Sequence, residues 1–153
     1  EFIEGKLNER ESRHIKQGGQ RYVVEPNVKE GKGGLRDLQT LFWVAKYTHR
    51  VGRVSELVGH GVITAEEYDT FRRADEFLCA VRNHLHLVTN RAMDQRTFDL
   101  QVEVAERLGY KDRAGTQHLN VLDLQIQMRR LPKPIIAPAS VENTAAGYIF
   151  AKM

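Results

Sequence analysis

Three glycines in four positions, Gly31-Lys32-Gly33-Gly34, stand between a β-branched run, Tyr22-Val23-Val24, and an apolar helical pattern from Leu35 to about His49. That order predicts a strand, a glycine loop and a helix. Glycine has no Cβ to forbid positive φ, so the chain can turn sharply here and another group can approach its backbone closely. Free N–H groups of the helix start lie just beyond. Such a turn is a ready anion site, with Lys29, Lys32 and Arg36 supplying positive charge and Glu30 and Asp37 taking part of it back. On loop chemistry alone, a tight strand-to-helix connection carrying solvated charges is the favoured reading.

Known phosphate loops do not fit the spacing. A Walker loop needs Gly-Lys followed by Ser or Thr, and Gly33 follows Lys32; a dinucleotide fingerprint needs a third glycine where Arg36 stands.

The longer string is more specific. Glu-Pro-Asn-Val-Lys-Glu-Gly-Lys-Gly-Gly-Leu-Arg-Asp-Leu-Gln-Thr-Leu-Phe-Trp-Val-Ala-Lys-Tyr, positions 25 to 47, closely resembles the segment after the nucleotidyltransferase core of the bifunctional PII uridylyltransferase/uridylyl-removing enzymes. Its Gly-Gly-Leu-Arg-Asp-Leu core is also similar to the Gly-Gly-Ile-Arg-Glu-Ile element of glutamine-synthetase adenylyltransferases, although the Glu-Pro-Asn-Val-Lys lead-in matches the uridylyl family better. The resemblance continues through Phe98-Asp99-Leu100-Gln101 and Ala105-Glu106-Arg107-Leu108-Gly109-Tyr110 and fades near Gly115.

The resemblance implies a region of an enzyme that transfers UMP from UTP to a tyrosine of the PII signalling protein, removes it again, and answers to glutamine in nitrogen control. It implies magnesium and UTP as ligands of the full-length enzyme, with neither bound by this chain alone, and PII as the partner. Lys29, Lys32, Gly33, Gly34 and Arg36 would then lie near the nucleotide phosphates. For Arg36 a second reading stays open, a structural clamp; for Asp37 the clamp, by buried hydrogen bonds to neighbouring elements, is the favoured reading. The implied fold is mainly α, a helical bundle with one short N-terminal strand from the edge of an α/β nucleotidyltransferase core outside this chain. The expected division is 1–34 as the end of that core with the glycine loop, 35–115 as the helical domain, and 116–153 as a divergent, poorly ordered tail.

Composition narrows the classes independently. A length of 153 residues is one domain's worth, and 41% apolar with 28% charged residues is ordinary for a globular protein. The net charge of +3 is mild and the Lys and Arg are interleaved with Asp and Glu, so no nucleic-acid partner is expected. No apolar run approaches the ~20 residues of a membrane span, and no signal-peptide layout opens the chain. The single Cys79 makes no internal disulfide, which agrees with a cytoplasmic setting; it is expected to be a small packed residue.

Along the chain, Glu1 to Lys16 reads as a helix with a narrow apolar edge of Phe2, Ile3, Leu7 and Ile15, ended by Gly18-Gly19. With neither a start methionine nor a first-turn cap, the sequence is expected to be cut from a longer polypeptide, in which Tyr22 to Val24 would find its sheet. Leu35, Leu38, Leu41, Phe42 and Ala45 form the next stripe, widened by Trp43, Val44 and Tyr47. Thr64-Ala65-Glu66-Glu67 is a capping box, with Thr64 and Glu67 in structural roles, and opens a helix to about Val88 through Tyr68, Phe71, Leu78, Val81, Leu85 and Val88, broadened by Leu87. Asp75 falls on that stripe, either paired or turned to water. Phe98 to Leu108 is a further helix stopped by Gly109. Leu119 to Leu131 has an amphipathic pattern; Pro132, Pro134 and Pro138 then forbid regular structure.

Catalytic constellations are missing from this pattern. His84 and His86 point roughly 200° apart on a helix and cannot share a metal. No Asp-x-Asp stands beside a Gly-Ser pair, there is no Gly-x-Ser-x-Gly, and Asp94, Asp112 and Asp123 read as isolated, solvated or capping carboxylates. No catalytic residue and no metal ligand is assigned. The chain is expected to supply helical scaffold and active-site wall and to be inactive alone; the competing reading is a non-catalytic helical interaction module.

Overall fold

A computed structural model describes residues 1–18 and 25–110. The structure is a helical bundle. Its described helices are α1 (Phe2–Lys16), α2 (Leu35–His49), the single turn α3 (Glu56–Gly59), α4 (Ala65–Thr89) and α5 (Phe98–Arg107). The expected strand at Tyr22 to Val24, the tail at 116–153 and the helix at Leu119 to Leu131 lie outside the described residues.

The helix limits follow from local chemistry. Thr64 and Glu67 close the expected box: the Glu67 N–H donates to Thr64 Oγ1 over 3.1 Å, and the Thr64 N–H donates to Glu67 Oε2 over 2.7 Å. Two of the N–H groups orphaned at the start of α4 are thereby satisfied. Helices α2 and α4 both stop on a left-handed non-glycine residue, Arg50 (φ 53°) and Asn90 (φ 49°). Past α5, Gly109 takes the left-handed conformation (φ 82°) that favours glycine.

Packing places α4 at the centre. At 25 residues it is about 37 Å long, enough to carry two apolar clusters in series. The first joins Leu41, Val44 and Ala45 of α2 to Val51, Leu57, Val62 and Ile63, with Ile3 and Leu7 of α1 and Tyr68 and Phe71 of α4 packed around it. The second joins Leu78, Val81 and Leu85 of α4 to Val104 and Ala105 of α5, and adds Val28 and Leu35 from either side of the glycines. Each large aliphatic side chain sealed this way contributes ~1.5–3 kcal/mol. The glycine loop is therefore anchored in a core at both ends.

Three expectations about the apolar faces are corrected. On α1, Phe2 and Ile15 are exposed, and the residues turned inward beyond Ile3 and Leu7 are Arg10 and His14. Burying them is possible because α2 presents a carboxylate, Asp37, to the same interface. On α4, Leu87 is 66% exposed, because α5 covers the Leu78, Val81, Leu85 side and Leu87 points away from it. Cys79 is exposed rather than packed. Partial desolvation and the neighbouring Asp75 nonetheless push the thiol up, which opposes thiolate reactivity. Asp75 is half-buried and makes no ion pair among the described residues; burial and Glu76 push its carboxyl up.

Candidate functional site

Residues 25–37 form a closed turn whose backbone donors are almost all used internally. Asn27 Oδ1 accepts from the N–H groups of Lys29 (3.0 Å) and Glu30 (2.7 Å), and the Asn27 carbonyl accepts from Gly31. Val28 donates to the Asp94 carbonyl, Gly34 to Gly31, Leu35 to Val28, Arg36 to Lys29 and Asp37 to Gly34. Gly33 donates to Asp37 Oδ2 over 2.8 Å. Lys32 has the one N–H between 28 and 37 without an acceptor among the described residues. The N–H groups at the start of α2 are taken by carbonyls of the preceding turn, as in a tight connection, so its amides offer no free anion site.

The same packing explains the glycines. A Cβ on Gly34 would lie 2.8–2.9 Å from the carbonyl oxygens of Val28, Gly31 and Lys29, and one on Gly31 would lie 2.5 Å from that of Asn27. Gly33 has open space but sits at φ 80°, a left-handed conformation costly for residues with a Cβ. What approaches the backbone closely at Gly31 and Gly34 is the loop itself.

Pairing with a distant segment holds the turn in place. Asn27 bridges antiparallel to Gln95, the Arg96 N–H donates to the Pro26 carbonyl, and the Gln95 side-chain amide donates to the Glu25 carbonyl. The Glu25 carboxylate accepts the Phe98 N–H over 2.8 Å, capping α5, whose own Thr97 makes no side-chain cap. Asp94 accepts from Arg82 at 2.6 Å, lies 3.0 Å from His86 Nε2, and has Lys29 Nζ 3.6 Å away. Burial alone would raise its carboxyl, but the bonds to Arg82 and His86 and the charges of Arg82 and Lys29 outweigh it and hold the carboxyl below its ordinary range. Expected to be isolated, Asp94 is the anchor between α4 and the loop.

Asp37 is the second anchor, and the clamp expected of it is present. Its side chain is 2% exposed, and its two oxygens collect Arg13 Nη2 (2.7 Å), His14 Nε2 (2.8 and 3.0 Å), the Gly33 N–H and, at 3.6 Å, Arg10 Nε. One carboxylate thus joins α1, the loop and α2. Burial lowers the His14 pKa, although Asp37 pulls it up; Arg10 and Arg13 help burial. His14 is accordingly neutral near pH 7, carrying its proton on Nε2 and donating it to Asp37. The spacing Arg10, Arg13, His14 on one helix face is a sequence signal, but it names no partner until Asp37 is brought opposite.

Arg36 is half-buried, with Nε 3.5 Å from Glu30 Oε1, and Lys29 Nζ and Arg13 Nε flank the same Glu30 carboxylate at 3.8 and 3.6 Å. Lys32 is exposed and makes no ion pair among the described residues. The structure brings Lys29 and Arg36 together around Glu30, and leaves Lys32 pointing to solvent at the loop tip. Among the described residues no three His, Cys, Asp or Glu side chains converge as a metal ion would require, and no helix is long and apolar enough to cross a membrane.

Comparison with known proteins agrees with the string at 25–47. The family described as GlnD PII-uridylyltransferase matches residues 1–130. A bifunctional uridylyltransferase/uridylyl-removing enzyme of Ruegeria pomeroyi is 65% identical over 121 residues, covering 79% of this chain and 13% of that protein. The enzyme of the same name from Cereibacter sphaeroides is 63% identical over 121 residues, with the same coverage, and that of Azospirillum brasilense 55% over 117 residues, covering 76% of this chain and 12% of that protein. The chain thus spans about an eighth of the length of these relatives. No solved structure matches it.

Proposed function

The chain belongs to the PII-uridylyltransferase family, and from that premise we propose that it is a helical segment of a bifunctional uridylyltransferase/uridylyl-removing enzyme, supplying scaffold and active-site wall rather than reacting groups. In this reading the whole cytoplasmic enzyme transfers UMP from UTP to a tyrosine of PII and removes it again.

The observation that supports the reading is the double anchoring of the loop, through Asp37 to α1 and through Asp94 to α4. Such a loop presents Lys29, Lys32 and Arg36 from a fixed frame, which is what stabilising charge on a transferring phosphoryl group demands. In this reading magnesium and the carboxylates that hold it belong to the nucleotidyltransferase core of the whole enzyme.

The test is direct. Incubated with UTP, magnesium and PII, the 153-residue chain should give no labelled PII, whereas the full-length enzyme should label it; robust labelling by the chain alone would refute the assignment. The competing reading, a free-standing interaction module, draws on the exposed aromatic pair Phe2 and Tyr47, whose ring centroids are 4.6 Å apart. An interaction module predicts that full-length enzyme carrying Arg36→Gln labels PII normally, and the wall reading predicts impaired labelling.

A further inference from the structure

We propose that the ring of Arg13, Lys29 and Arg36 is a phosphoryl-binding site in which Glu30 stands as an internal placeholder for the anion. The proposal deepens the wall reading and rests on it only for the identity of the substrate, a nucleoside triphosphate; the ligand class follows from the ring itself.

Three cations from three elements face one carboxylate, and none bonds it well. Arg13 Nε of α1 is 3.6 Å from Glu30 Oε2, while Arg36 Nε of α2 and Lys29 Nζ of the loop are 3.5 and 3.8 Å from Oε1. A charge-assisted N–H···O bond is about 2.7–2.9 Å long. The same molecule reaches that length where it clamps: 2.7 Å for Arg13 to Asp37 and 2.6 Å for Arg82 to Asp94. Glu30 is therefore held by charge at a distance, not by hydrogen bonds.

The ring also has donors left over. Arg13 Nε, the atom aimed at Glu30, is buried without a hydrogen-bond acceptor, and so is Nε of Arg10, whose side chain is 93% buried. Within 4 Å, four cations, Arg10, Arg13, Lys29 and Arg36, share two carboxylates, Asp37 and Glu30, with Asp94 touching Lys29 alone among the four and Glu9 acting on Arg13 and Arg36 from farther off. A carboxylate offers two oxygens in one plane. A phosphoryl group offers three terminal oxygens spread about a tetrahedron, one for each cation that converges here. The site is built from side chains, since the amides of the turn are spent. It is open to solvent through Glu30, Lys29 and Arg36, whose side chains are 26–35% exposed.

A placeholder competes with its ligand. Inorganic pyrophosphate titrated into the 153-residue chain, followed by calorimetry and by the amide resonances of residues 29–37, should bind weakly to the unaltered protein. Glu30→Gln, which removes the competing charge and keeps the shape, should tighten binding about fivefold to tenfold. Adding Arg36→Gln to that variant should abolish the gain, with the amide resonances away from residues 29–37 unmoved in both variants. Unchanged or weaker binding in Glu30→Gln, or a gain that persists without Arg36, would overturn the proposal. The labelling experiment reads the activity of the whole enzyme and this titration reads the ring, so the two can fail separately.

Discussion

Arg13 Nη2 donates to Asp37 Oδ1 over 2.7 Å, a buried ion pair that ties α1 to the first turn of α2 across 24 residues of sequence. His14 and the Gly33 N–H complete the carboxylate's shell. A buried carboxylate is tolerable only when its partners are all in place, so the geometry of helix and loop stands or falls with it.

Asp37→Asn keeps the shape and removes the charge, leaving Arg10 and Arg13 without a buried counter-ion. The expected loss of stability is about 3–5 kcal/mol, seen as a lower urea midpoint at unchanged slope.

The glycines should rank by what a Cβ would strike. Gly34→Ala drives a methyl group into three carbonyls and should cost more than ~2 kcal/mol, whereas Gly33→Ala meets open space and bears only the left-handed strain of about 1–2 kcal/mol. Thermal melts of the two variants check the order.

Two residues apart on α4, Leu85 and Leu87 face opposite environments, fully buried and 66% exposed. Leu85→Ala should destabilise by about 2–5 kcal/mol. Leu87→Ala should fall within about 0.5 kcal/mol of the unaltered protein.

Stability should fall on acidification, and His14 sets the first part of the fall. Burial holds its imidazole below the ordinary value of about 6.5, so between the lowered value and about pH 6.5 the unfolded chain binds more protons than the folded one. The contribution of neutral His14 is complete above about pH 6.5 and is lost as pH falls through the lowered value. Asp94, also lowered, acts in the same sense at more acid pH: its contribution is present above about pH 3.9 and lost below. In urea titrations, His14→Gln should flatten the slope of stability against pH just below about pH 6.5 while leaving the more acid limb.

What could be read ahead of the structure was local. Thr64 and Glu67 are three residues apart, and their capping box depends on nothing else in the chain; the apolar repeats of α2, α4 and α5 likewise sit within single helices. What could not be read depends on partners far away in sequence. Arg10 and His14 look like solvated charges until Asp37 arrives opposite them, and Asp94 looks isolated until the turn lays Lys29 beside it. The glycines were legible as a turn but not for their reason, because the clash at Gly34 is with carbonyls that only the folded loop brings near. Leu87 misleads because a helix that is apolar on adjoining faces does not reveal which face a later helix will cover.

Asp37 and Arg13 act as one unit joining α1 to the glycine loop. A double-mutant cycle with Arg13→Met and Asp37→Asn, read by urea unfolding at pH 7.5 (chosen to lie about one unit above the ordinary imidazole value), measures that directly. A single unit should show a coupling energy of about 2 kcal/mol or more, whereas single-variant losses that sum to the double-variant loss within about 0.5 kcal/mol would mean that the two residues act independently.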